Sequence, residues 1–258
     1  MKGELVILGC GGSSGVPAIG NWWGKCDPHE PKNRRTRPSV AILKNGSTLI
    51  VDSGPDFREQ YNRENLTGLD GVLFTHTHSD HVNGIDELRT FQRLQKRTYP
   101  IYGDAKTLDV IGARFDYMFA TTENGFYPAV CEPVPITPGR VTCAGIAIDV
   151  FEQDHGTTVS LGIRIGTIGY STDFKRLDDR ALEVLKGIDI WIADAAAHDS
   201  KSNPVHASVE DVIALNQTIG AKQVYLTHLP PTMDYRALTE SLPPGFAPAY
   251  DGLRLPLE

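Results

Sequence analysis

Eight consecutive residues, Phe74-Thr75-His76-Thr77-His78-Ser79-Asp80-His81, restrict what this chain can fold into more than any other stretch. They overlap a strand-like run, Gly71-Val72-Leu73-Phe74-Thr75, that stops where the first imidazole begins. Three imidazoles and a carboxylate packed this closely are costly to bury without partners. A helix does not gather them, because residues two apart do not share a helical face. An extended segment puts His76 and His78 on one side, a turn then presents Asp80 and His81, and a helix starts near Val82. Imidazole nitrogen and carboxylate oxygen suit a borderline divalent ion: zinc, manganese or iron. A solvated histidine-rich loop is the bland alternative, and the order and spacing together count against it.

Such a cluster needs a scaffold that ends several strands in one place. Strands are expected at residues 5–8, 100–103, 134–136, 146–152, 161–165, 167–171, 188–193 and 223–227, with a hairpin of 39–43 and 48–51 around Asn45-Gly46. Helices are expected at 56–65, 84–97, 106–115, 178–186, 208–219 and 235–241, and the proline-rich tail adds an edge strand. No linker or repeat interrupts the 258 residues, so the expectation is a single layered α/β domain over 1–258. Four more candidate side chains fall at strand ends: Asp52, His155, Asp173 and His228. One strand-end histidine alone is more often structural, but these complete a set.

The formal net charge of -7 argues against extended nucleic acid held by phosphate neutralisation. Four cysteines without a CxxC pair read as reduced thiols in a cytoplasmic protein. No apolar run is long enough for a signal peptide or a membrane span. Gly9-Cys10-Gly11-Gly12-Ser13-Ser14-Gly15 is a glycine-rich loop read as a tight turn beside an active site, where Ser13 and Ser14 contact substrate. Residues 16–38 are irregular. Trp22-Trp23 suits a lid, local packing or a homodimer contact. The basic run Lys32-Asn33-Arg34-Arg35-Thr36-Arg37 offers Arg34 and Arg35 to an anionic substrate.

The order HxHxDH, then His155, Asp173 and His228, resembles the metallo-β-lactamase-fold hydrolases. Within them the chain is similar to the phosphoribosyl cyclic-phosphate phosphodiesterase branch, which lies close to the tRNA 3′-end processing endonucleases. Asp52-Ser53-Gly54, His155-Gly156, Tyr170-Ser171-Thr172-Asp173, His206 and Thr227-His228-Leu229 carry the likeness with the two motifs above. The resemblance implies an αββα four-layer sandwich with two divalent metal ions, zinc or manganese with iron also accepted, at one edge. It gives His76, His78 and His155 to one ion, Asp80, His81 and His228 to the other, and Asp173 to both. Asp52 anchors the histidine loop from behind. Ions roughly 3.5–4 Å apart share a hydroxide that attacks phosphorus. His206, outside the ligand set, is the expected general acid, so His206, Asp80 and Asp173 are the catalytic candidates. His198 and Asp194 rank below His206, and His29 reads as surface.

The expected activity is hydrolysis of a small anionic phosphoester, a cyclic phosphate or nucleotide-like ester. The alternatives are a carboxylic ester, thioester or lactam hydrolase, a tRNA 3′-processing endonuclease, and a non-catalytic nucleotide-binding scaffold. Net charge and the lack of a Gly/Pro/Lys-rich arm speak against the tRNA reading. Members of the branch often carry a cysteine-rich zinc knuckle after the first strand. Here Cys26 alone remains, and Pro230-Pro231 stands where the knuckle's histidine belongs, so no third, structural zinc is expected.

Overall fold

The computed structural model describes residues 3–123, 125–199, 201 and 203–257. Two seven-stranded sheets lie face to face with helices outside each. In chain order the strands are β1 (Gly3–Gly9), β2 (Ser39–Lys44), β3 (Ser47–Val51), β4 (Gly71–Leu73), β5 (Tyr99–Gly103), β6 (Cys131–Pro135), β7 (Gly139–Cys143), β8 (Ile146–His155), β9 (Thr158–Ile165), β10 (Ile168–Ser171), β11 (Ile190–Asp194), β12 (Gln223–Thr227), β13 (Phe246–Pro248) and β14 (Arg254–Leu257). The α-helices are α1 (Phe57–Arg63), α2 (Ser79–Val82), α3 (Leu88–Gln95), α4 (Ala105–Arg114), α5 (Asp179–Leu185), α6 (Val209–Ile219) and α7 (Tyr235–Ser241). The first sheet runs β14-β1-β2-β3-β4-β5-β6 and the second β13-β12-β11-β10-β9-β8-β7. This is the αββα sandwich of the metallo-β-lactamase fold.

Strand periodicity explains the layers. On β1, Leu5 and Ile7 face the second sheet's Ile148, Val150 and Ile163, while Val6 and Leu8 face outward to Phe57 and Tyr61 of α1. Successive side chains point to opposite faces, and burial on both faces gives a continuous apolar run. Trp191, Ala193, Val224 and Leu226 likewise turn from the sheet interface toward α5 and α6. The hairpin turn has φ of 55° at Asn45 and 83° at Gly46, the double left-handed geometry that Asn-Gly favours.

The expected helix at 84–97 is divided: a 3-10 turn at Ile85–Glu87 precedes α3, which stops where Lys96 turns left-handed at φ 55°. Sequence reading missed β7 and β13. Three of five β7 residues are exposed and β13 is three residues long, so neither carries a clear apolar pattern. The strand expected at 134–136 begins earlier, as β6, whose prolines are tolerated because it is an edge strand.

Strand direction, more than strand order, positions the site. Strands β3 to β6 run parallel, as do β10 to β13. Two antiparallel pairings separate β8 from β10, so those two also run the same way. The carboxyl ends of β3, β4, β8, β10, β11 and β12 therefore deliver Asp52, residues 74–81, His155, Asp173, Asp194 and His228. Thr75 O accepts from Leu161 N at 3.0 Å, tying the exit of β4 to β9 of the facing sheet.

Candidate metal centre

The histidine loop is fastened before it can bind anything. Beyond β4, Thr75 donates its amide and its hydroxyl to the two oxygens of Asp52, each at 2.8 Å. His81 Nδ1 lies 2.7 Å from Asp52 Oδ2. The single turn of α2 places Asp80 and His81 beside His76. Two glycines make room. A Cβ on Gly54 would sit 2.0 Å from Asp80 O, and one on Gly84 2.0 Å from Gly54 O. Asp52, Asp173 and His228 adopt φ of 63°, 49° and 57°, a left-handed backbone that residues with a Cβ adopt at a cost. Strain of this kind concentrates at functional sites.

Two donor groups form around one carboxylate. His76, His78, His155 and Asp173 converge in the first, Asp80, His81, Asp173 and His228 in the second, with all ligand atoms of a group within 4.8 Å of one another. Asp173 Oδ2 lies 3.7 Å from His76 Nε2 and 3.5 Å from His155 Nε2. Asp173 Oδ1 lies 3.2 Å from His81 Nε2 and 3.4 Å from His228 Nε2. Asp80 Oδ2 stands 3.4 Å from His81 Nε2 and 3.6 Å from His228 Nε2.

These groups fit cations. Donors about 2.0–2.1 Å from a tetrahedral ion stand roughly 3.3–3.4 Å apart, close to the spacings here. The Nε2 atoms of His76, His81 and His228 are buried without a hydrogen-bond partner. His155 Nδ1 donates to Val205 O at 2.7 Å, which leaves Nε2 with a lone pair facing the carboxylate of Asp173. Two acceptors turned toward each other in a buried site need a positive charge between them.

The titration of the protein's own groups agrees. Burial, then the charge of His81, pushes the His76 imidazole well below its ordinary range, and burial lowers His78 and His155. Burial acts against a charge on His228 too, but Asp173 and Asp80 outweigh it and raise that imidazole to about 9. His81 is raised well above its usual value against the same burial, by Asp173, Asp52 and Asp80. Burial would lift the carboxyls of Asp80 and Asp173, but the imidazoles around them hold both below the usual carboxylate range. With no cation bound, the carboxylates around His81 and His228 favour the charged form of both imidazoles.

His206 stands at the rim of the second group. Its Nδ1 is 2.7 Å from Asp194 Oδ2, and its ring stacks on His228 with centroids 4.6 Å apart. Asp194 is fully buried, takes the amide of Phe174, and lies 3.9 Å from His228 Nδ1. Sequence reading ranked Asp194 below His206. The signal that could have raised it is the one shared by Asp52 and Asp173, a carboxylate ending a buried parallel strand. His198 is exposed and belongs to neither donor group, and His29 is exposed.

Ser13 and Ser14 lie exposed on a turn whose Gly12 sits against His228. Arg34 is exposed, its guanidinium 5.4 Å over the Trp23 ring. The expectation for Arg35 is corrected. Its side chain is 1% exposed and donates to Met233 O at 2.8 Å and Asn33 Oδ1 at 3.1 Å, so it braces residues 16–38 and cannot reach a substrate in solvent. In the same brace Cys26 Sγ meets Pro231 O at 3.3 Å and Met233 O at 3.4 Å, and Asn33 Nδ2 donates to Asp234 at 2.6 Å.

A layered sandwich with paired His/Asp donor groups at one edge defines a metal-dependent hydrolase. The chain belongs to the beta-lactamase superfamily, whose domain model matches residues 47–229. It is similar to the crystal structure of a diphosphatase from the PhnP family, with 32% identity, a TM-score of 0.88, and coverage of 100% of this chain and 98% of that one. An octanoyltransferase of Porphyromonas gingivalis is 32% identical over 97% of this chain and 51% of its own length. A ribonuclease Z of Bradyrhizobium sp. is 31% identical over 51% of this chain and 44% of its own. The chain thus spans about half the length, or less, of these curated relatives. No helix among the described residues is long and apolar enough to cross a membrane.

Proposed function

We propose that this protein is a phosphodiesterase acting on a small anionic phosphoester, a cyclic phosphate or nucleotide-like diester. His76, His78 and His155 would hold one divalent ion, Asp80, His81 and His228 a second, and Asp173 would offer one oxygen to each. Zinc or manganese suits this set, and iron is also accepted. Bound there, such ions supply Lewis-acid polarisation of phosphoryl oxygens and a water that ionises near neutral pH.

The observation that carries the phosphodiester reading is the Asp194–His206 pair. Asp194 occupies Nδ1, so Nε2 is the nitrogen left to hold a proton for a departing alkoxide. Stacking on His228 fixes the ring beside the donor groups. Lys175 Nζ, 3.1 Å from His206 O, holds the backbone there. Ser13, Ser14 and Arg34 are the proposed contacts to the substrate's remaining oxygens. The PhnP-family relative, named a diphosphatase, favours a second reading in which the scissile bond is a phosphoanhydride. The cavity of about 930 Å³ bordering His76 has a mixed lining, with Lys106 and Arg176 beside Val110, Val159 and Leu177, so the phosphoester reading rests on His206 and not on this cavity.

The test is turnover of bis-p-nitrophenyl phosphate, a 2′,3′-cyclic nucleotide and a dinucleoside diphosphate by protein carrying two Mn²⁺ or Zn²⁺. Hydrolysis of the diesters is expected, and preference for the dinucleotide would install the anhydride reading instead. His206→Ala should keep both metals and lose about 10²–10⁴-fold on the cyclic nucleotide, whose leaving alkoxide needs a proton. It should lose much less on the p-nitrophenyl ester, whose leaving group does not. Fully metallated protein inert toward all three substrates would overturn the proposal.

A further inference from the structure

On the outer side of the first sheet, α3 and residues 116–122 and 126–130 line a cavity of about 830 Å³ that shares no lining residue with either donor group. We propose that this cavity is a second ligand site, built for a nucleoside phosphate. Its existence does not depend on what the donor groups bind.

One wall is cationic. Arg89, Arg93 and Lys96 are spaced four and three apart on α3 and its left-handed cap, and all three line the cavity. Residues at those spacings share a helical face. Arg89 pairs with the carboxylate of Asp86 at 4.0 Å. The side chains of Arg93 and Lys96 make no ion pair or hydrogen bond among the described residues. Among the described lining residues one carboxylate, Asp116, is present, and it takes the amide of Tyr117 at 2.8 Å. Arg93 and Lys96 thus stand as two cations beside one another in a chain of net charge -7, an arrangement that favours an anion between them.

The opposite wall is aromatic and open to water. Phe126 is 72% exposed, Tyr117 50% and Tyr127 48%. Phe126 meets Tyr127 edge-on with centroids 4.8 Å apart, and the Arg89 guanidinium lies 5.4 Å over the Tyr127 ring. Large rings left exposed in one place mark a binding surface. Cations alone would serve inorganic phosphate, and rings alone would serve an uncharged aromatic. Together they select a planar aromatic group that carries a phosphate: the base stacks on Tyr127 or Phe126, and the phosphate takes Arg93 and Lys96. The volume falls within the roughly 300–1,000 Å³ of small-molecule sites.

Isothermal titration of the metal-loaded protein with adenosine 5′-monophosphate tests this. Saturable binding is expected, with pyrophosphate alone weaker by about tenfold because it lacks the stacking contribution. The double variant Arg93→Ala/Lys96→Ala should weaken the nucleotide by at least about tenfold. Tyr127→Ala and Phe126→Ala, both at exposed positions, should together weaken it by a similar factor. None of these variants should change bis-p-nitrophenyl phosphate turnover by more than about twofold, since none lies in the donor groups. Absence of binding at about 1 mM would overturn the proposal. So would binding that survives the double variant and competes with the p-nitrophenyl ester, because the nucleotide would then sit at the metals.

Discussion

Two regions of this molecule bury polar side chains next to each other, and they do it in opposite ways. In the brace around residues 26–35, Cys26, Asn33, Arg35 and Asp234 are spent on one another and on the carbonyls of Pro231 and Met233, leaving Arg35 Nε as the orphan. At the carboxyl edge of the sheets, His76, His81 and His228 are buried as deeply, yet their Nε2 atoms have no hydrogen-bond partner. Buried polar groups cost free energy unless they are satisfied. A group satisfied by the chain itself builds structure, whereas a cluster left open on the same side awaits a ligand. The two regions even touch, since Pro230-Pro231 follows directly on Leu229, the neighbour of His228.

Asp173 serves both donor groups, and the contrast between the two regions is easiest to break there. Asp173→Ala should reduce bound metal from two ions to fewer than one and cut turnover by on the order of a thousandfold or more. Elemental analysis beside the diester assay checks it. Full metal content in that variant would mean that the orphaned nitrogens are not waiting for ions.

The brace should answer in stability instead. Arg35→Met removes a buried guanidinium and the two charge-assisted hydrogen bonds it donates to Met233 O and Asn33 Oδ1, and about 3–5 kcal/mol of folding free energy should go with them. Urea unfolding reads this, while turnover per folded molecule stays near the parent value. Loss of hydrolysis in a folded Arg35→Met protein would return this side chain to the substrate.

A smaller effect separates the two regions by pH. In metal-free protein His228 is raised to about 9 from an ordinary 6.5, so its contribution is complete below pH 6.5 and is lost as pH rises through 9. That amounts to about 3 kcal/mol. The imidazoles of His76 and His155 are lowered, so they contribute above pH 6.5 and lose that contribution in acid. Metal-free protein should therefore be most stable near pH 6.5, with the fall toward pH 9 abolished when ions replace the proton on His228. Urea midpoints at pH 6.5 and 9, with and without metal, show whether that fall exists. A flat metal-free profile would mean that His228 is not held charged.

The sequence by itself determined what is local or periodic. The unbroken apolar run Leu5-Val6-Ile7-Leu8 marks a buried strand, Asn45-Gly46 sets the β2–β3 hairpin, and a strand running into His76 forces three imidazoles and a carboxylate into one loop. These signals survive without coordinates because each sits within a run of a few residues or a single turn. Tertiary structure alone decided which side chains of like chemistry do different work. Arg34 and Arg35 are adjacent and equally basic, yet one lies in solvent over Trp23 and the other is sealed against Met233, 198 residues away in sequence. Asp194 becomes the partner of His206 only when parallel β11 places its carboxyl end between Asp173 and His228. Spacing encodes faces, but burial and partnership depend on which distant elements close over a face.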